Sequence, residues 1–143
     1  MNGRVFLDTN VLVYLYDASE PQKQAKARAL LAGLGRAEGD HPIISTQVLQ
    51  EFYVTVSRKL ARSLPEGEVL LAMRSLRSFP TVQVDVAMIF EAIDLCQKFR
   101  LSFWDALIAQ AAISAGCSRM LTEDLQHQMW IGDLMVENPF LEA

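Results

Sequence analysis

The chain has 143 residues, a formal charge of −4, and 51% apolar against 21% charged side chains, the make-up of one packed domain over residues 1–143 rather than a disordered chain. The acidic balance excludes a protein that coats nucleic acid by net charge alone. The apolar run over 101–117 is interrupted by Asp105 and Gln110 and is too short for a membrane span.

The first eight residues lack the apolar core of a secretory signal, and Asp8 interrupts them. Val5-Phe6-Leu7 is the first predicted strand, followed by a turn through Asp8-Thr9-Asn10 and a helix over 11–16. Pro21 suits the first turn of the next helix, which is expected to end at Gly33 or Gly35. Ile43-Ile44 form the second strand, and Ser45 or Thr46 caps a helix to about residue 62. Pro65-Glu66 opens another helix that stops near Phe79-Pro80, before a third strand at Val82-Gln83-Val84. Asp85 caps a helix to about residue 100, and Ser102 caps one that reaches Gly116. Met120-Leu121-Thr122 and Leu134-Met135-Val136 complete about five short apolar strands. Such strands alternating with helices predict a mostly parallel sheet covered on both faces, with the functional crevice beyond the carboxyl ends of the strands.

Four acids fall where they could meet at that end. Asp8 leaves strand one, Glu51 lies on the helix after strand two, Asp105 is in the first turn of the helix before strand four, and Asp124 follows strand four. Oxygen-rich clusters of this kind hold magnesium or manganese, and one or two such ions suit phosphodiester hydrolysis through a metal-activated water. Only His41 and His127 are present, so a histidine-based zinc site or a paired-histidine nuclease is not expected. Packed like charges should raise at least one carboxylate pKa in the metal-free protein.

Each acid also has a structural reading. Asp105, three residues after Ser102, fits a capping box; Asp8 fits a helix cap; Asp124 fits a turn, with Glu123 beside it equally able to face the site. Glu51 interrupts an otherwise apolar segment. At helical spacing it shares a stripe with Gln47, Thr55, Arg58 and Arg62, which is either a solvated face with a weak ion pair or a path from metal to RNA phosphate, gripped by Arg58, Lys59 or Arg62. Phe103-Trp104 could stack a base but is expected in the core. Lys23, Lys26 and Arg28 read as a solvated helix surface. Cys96 and Cys117 lack the spacing of a zinc knuckle or redox pair and read as thiols in a reducing, cytoplasmic setting.

Taken together, Leu7-Asp8-Thr9-Asn10-Val11-Leu12-Val13-Tyr14, Ser45-Thr46-Gln47-Val48-Leu49-Gln50-Glu51-Phe52, Ser102-Phe103-Trp104-Asp105-Ala106-Leu107-Ile108 and Leu121-Thr122-Glu123-Asp124-Leu125 resemble PIN-domain proteins. More narrowly they resemble VapC-type toxins of prokaryotic toxin–antitoxin pairs, as does the ending Glu137-Asn138-Pro139-Phe140. The resemblance covers essentially the whole chain. It implies a three-layer α/β/α sandwich and a metal-dependent endoribonuclease inhibited by a small VapB-like antitoxin that inserts a segment into the acidic groove. It places metal at Asp8, Glu51, Asp105 and Asp124, with Asn10 and Thr122 supporting by hydrogen bonds. It also makes a homodimer the expected assembly, with helices in 18–34 and 45–78 as candidate dimer and antitoxin faces. One departure is Gln126-His127-Gln128-Met129, where relatives often carry glycine after the histidine. The competing functions are a PIN-type nuclease acting on other RNA or DNA outside such a pair, and a catalytically silent binding module.

Overall fold

Val5, Phe6 and Leu7 are consecutive and fully buried. Successive strand residues face opposite sides of a sheet, so β1 (Gly3–Leu7) must be covered on both faces. A computed structural model, which describes residues 3–36 and 40–141, shows this strand near the middle of a six-stranded sheet. The other strands are β2 (Asp40–Ser45), β3 (Thr81–Val82), β4 (Arg119–Leu121), β5 (Trp130–Ile131) and β6 (Leu134–Glu137), in the order β3-β2-β1-β4-β6-β5. All pairings are parallel except β5 with β6.

Among the described residues six α-helices connect or cover the strands: α1 (Thr9–Val13), α2 (Pro21–Arg36), α3 (Thr46–Val54), α4 (Glu66–Leu76), α5 (Val86–Phe99) and α6 (Phe103–Ser114). The result is the expected α/β/α arrangement. Three helices start on side-chain caps read from the sequence. Ser45 Oγ accepts from Val48 N at 3.3 Å, Asp85 Oδ1 from Met88 N at 2.9 Å, and Ser102 Oγ from Asp105 N at 3.1 Å. Each satisfies an amide that the first helical turn leaves unpaired. Ala106, Ala109, Ala111 and Ala112 are buried on α6, and their small side chains let this helix lie close to the sheet and to α5. Among the described residues no helix is long and apolar enough to cross a membrane.

Three departures from the expected elements have local causes. The sixth strand, β5, is only two residues long and pairs Ile131 with Leu134 across Gly132-Asp133, with Gly132 at φ 60°; two residues carry no periodicity to read. Val84 leaves the strand register because its N–H donates to Thr46 Oγ1 at 3.1 Å, so β3 stops at Val82. The helix expected to reach residue 62 becomes a π-helical turn at Thr55–Lys59, and Leu60 is extended at ψ 149°. Arg62 therefore lies beyond the helix. Gln128, in the segment where the resemblance led one to expect glycine, adopts the left-handed conformation at φ 66°.

Candidate metal centre

The β1–β4 register opposes Leu7 to Leu121, so the next residues, Asp8 and Thr122, leave the sheet side by side. Asp8 N donates to Leu121 O at 3.0 Å. The Asp8 carboxylate accepts from Thr9 N at 2.7 Å on one oxygen and from Thr122 Oγ1 at 2.7 Å on the other. Asp8 is thus both the cap of α1 and a buried acid, 6% exposed. Burial pushes its pKa up to about 7. The hydrogen bonds from Thr122 and Thr9 oppose that rise, and the charges of Asp124 and Glu51 add to it.

Glu51 reaches the same end of the sheet because α3 starts at the end of β2 and packs against α1. Its two oxygens are held separately. Thr9 Oγ1 donates to Oε1 at 2.8 Å, and Gln47 Nε2 donates to Oε2 at 3.1 Å. The same Gln47 nitrogen also donates to Trp104 O at 3.2 Å, which ties α3 to the first turn of α6, where Asp105 sits. Asp105 makes only half of the anticipated capping box: its N–H is capped by Ser102, while among the described residues its carboxylate makes no reciprocal bond. Trp104 is 63% exposed, not in the core as expected. The first turn of α6 turns its ring outward, in edge contact with Phe103 at 5.1 Å.

Asp124 completes the group. Asn10 Nδ2 donates to Asp124 Oδ2 at 3.1 Å, and Asp124 N donates to Thr122 Oγ1 at 3.1 Å. Asn10 and Thr122 therefore bridge Asp8 to Asp124. Burial raises the Asp124 pKa, Asn10 opposes the rise, and Asp105 and Glu123 reinforce it. Glu123 itself is drawn aside: its carboxylate takes a proton donor from Tyr14 and an ion pair from Lys23 at 2.6 Å. Lys23 is therefore only partly solvated, because Glu123 and the Tyr14 ring, 5.0 Å away, engage it while 34% of its side chain stays exposed. The sequence signals for these supports were Thr9 inside Asp8-Thr9-Asn10 and Gln47 on the stripe of Glu51; nothing local marked Lys23.

Of the four acids, Glu51 and Asp124 line a groove of about 610 Å³ together with Thr9, Asn10, Tyr14 and Lys59, with apolar walls from Val13, Val54 and Leu60; Asp8 and Asp105 are not in its lining. Lys59 enters it as the next turn of the Glu51 and Thr55 stripe, whereas Arg58 and Arg62 are exposed beyond its lining. None of the three ion pairs among the described residues involves Asp8, Glu51, Asp105 or Asp124. An all-oxygen, cation-free set fits a hard divalent ion. Among the described residues no three of the acids are already arranged to hold a metal ion.

Solved structures share this fold. A toxin–antitoxin complex from Klebsiella pneumoniae matches with a TM-score of 0.70 at 18% identity, covering 95% of this chain and 98% of that one. VapBC2 from Rickettsia felis, bound to a promoter DNA fragment, gives 0.66 at 20% identity over 94% and 98%. VapC20 of Mycobacterium tuberculosis, a toxin that cleaves the sarcin–ricin loop, gives 0.63 at 17% identity over 81% and 86%. No curated protein matches in sequence. The PIN domain profile matches residues 5–128, a span that contains the whole acidic cluster, and the chain belongs to the PIN-domain family.

Proposed function

We propose that the protein is a magnesium-dependent endoribonuclease, with manganese able to replace magnesium, and the cytoplasmic toxin of a type II toxin–antitoxin pair. The observation that carries this reading is the buried Asp8 carboxylate, which among the described residues has no ion-pair partner and lies in the field of Glu51 and Asp124, two acids that line the adjoining groove. Asp8, Asp105 and Asp124 would hold the ion, with Glu51 binding it directly or through water. Held there, such an ion would neutralise charge on the phosphoryl oxygens and lower the pKa of a water beside them.

The chain's own groups do the positioning. Thr122 and Thr9 keep Asp8 aimed as an acceptor, Asn10 fixes Asp124, and Lys59 presents a cation to an RNA phosphate, with Arg58 and Arg62 available farther out. The toxin assignment is supported by the toxin–antitoxin complexes among its structural neighbours. A VapB-like antitoxin would find apolar purchase beside the groove, where Tyr53, Val54, Leu70 and Leu71 are exposed. For a homodimer the favoured face is α5, where Val86, Ile89, Phe90 and Ile93 are exposed. Among the described residues α2 exposes no large apolar side chain, so of the surfaces compared α5 offers the larger apolar stripe for a homodimer.

The test is cleavage of total cellular RNA by purified protein with magnesium or manganese, with chelator, and by Asp105→Asn. Discrete fragments ending in 5′-phosphate and 3′-hydroxyl, lost on chelation and in the variant, are expected. Fragments ending in 2′,3′-cyclic phosphate would rule out a metal-activated water, and equal cleavage by the variant would reject the site. DNA offered in parallel separates a ribonuclease from a less selective nuclease.

A further inference from the structure

Gln47 is 5% exposed, and its side chain is oriented at a local disadvantage. Its amide nitrogen serves two acceptors, Glu51 Oε2 at 3.1 Å and Trp104 O at 3.2 Å. Its Oε1 is the buried side-chain atom left without any hydrogen-bond partner among the described residues. Rotating the amide would not relieve this, because Oε1 would then face a carboxylate and a carbonyl, both acceptors. The unmet oxygen is therefore the consequence of aiming the nitrogen at Glu51 and at the first turn of α6. Buried polar groups are nearly always paired, and a single exception calls for an explanation.

We infer that Gln47 is a positioning residue that fixes Glu51 relative to Asp105, an inference that rests on the metal-site reading given above. Glu51 has a flexible side chain on α3, and Asp105 belongs to a separate helix. Their relative placement is set where the Gln47 nitrogen joins one carboxylate oxygen to the backbone one residue before Asp105. Thr9 holds the other Glu51 oxygen at 2.8 Å, so the carboxylate is fixed from two sides before any ion arrives. Partners that orient metal ligands in this way typically change metal affinity 10–100-fold when removed.

Gln47→Met keeps the length and volume of the side chain while deleting both the amide donor and the unpaired oxygen. A residue that served only packing would show lower thermal stability and unchanged metal binding on this change. The proposal requires the reverse. Without metal, the variant should melt no lower than the parent. Its dissociation constant for Mn²⁺, read by calorimetry, should rise about tenfold. Gln47→Leu, which lacks the same donor, should weaken metal binding likewise. If the parent and Gln47→Met bind Mn²⁺ equally, Gln47 has no positioning role although the metal site stands. If the parent itself binds no Mn²⁺, and Asp105→Asn is indistinguishable from it, the metal-site reading falls and takes this inference with it.

Discussion

Asp8 shows how burial ties the charge of one aspartate to pH near neutrality. In the unfolded chain its carboxyl releases its proton near the ordinary 3.8, whereas in the folded, metal-free protein it holds the proton up to about 7. Between those values the folded state binds more protons than the unfolded state, so Asp8 makes metal-free stability fall as pH rises from about 4 to about 7 and flatten above. The full difference corresponds to about 4 kcal/mol. Asp8→Asn should remove that slope. In urea denaturation without metal the variant should be more stable than the parent at pH 8 and should lose the advantage at pH 4, while RNA cleavage is abolished at both. A parent whose stability does not change over this window would show that the carboxyl is not buried in solution. Magnesium should act against low pH, because ion and proton seek the same oxygens.

At the scale of elements, the segment after α3 decides which cation meets the groove. Regular helical winding predicts Arg58 and Arg62 on the stripe of Glu51. The π-helical turn at Thr55–Lys59 closes with Leu60 N donating to Thr55 O at 3.1 Å and ends the helix there. Lys59 is left in the groove lining and Arg62 outside it. Lys59→Ala should therefore raise KM several-fold with kcat nearly unchanged, and lower the salt dependence of RNA binding by about one ion. Arg62→Ala should do less on both counts. Equal effects from the two would mean that RNA lies across the outer surface rather than along the groove. The outward Trp104 is explained at this scale too. It belongs to the first turn of α6, where the helix face turned to the sheet begins only at Ala106.

For the whole molecule, most of the large exposed apolar side chains among the described residues fall into two groups, one on α3 and α4 and one along α5, with Trp104, Ile113, Trp130 and Leu141 outside both. Val86, Ile89, Phe90 and Ile93 follow helical spacing, and Val86 and Phe90 are 70% and 66% exposed. A stripe of that composition is what two copies would bury between them. Phe90→Glu should shift the sedimentation of the purified protein from dimer to monomer while leaving its thermal midpoint little changed, because Phe90 contributes little to the core of one chain. A dimer that survives the substitution would place the interface elsewhere, with the α3–α4 surface the next to test.

By itself, the sequence determined the alternation of strand and helix, the caps at Ser45, Asp85 and Ser102, and the family. Each depends on short-range pattern: apolar runs, side chains that satisfy nearby amides, and motifs in fixed order. It also singled out Asp8, Glu51, Asp105 and Asp124, because acids at predicted strand ends stand out against apolar neighbours. Tertiary structure alone decided which way those acids are held. The pairing of Leu7 with Leu121 brings Thr122 to Asp8. Lys23, a hundred residues away in the chain, draws Glu123 aside, and Gln47 joins two helices that are not adjacent in sequence. The two-residue β5 and the outward Trp104 were likewise invisible beforehand. Hydrogen bonds and burial between distant segments follow from how the sheet is registered and covered, and no local spacing of residues records that.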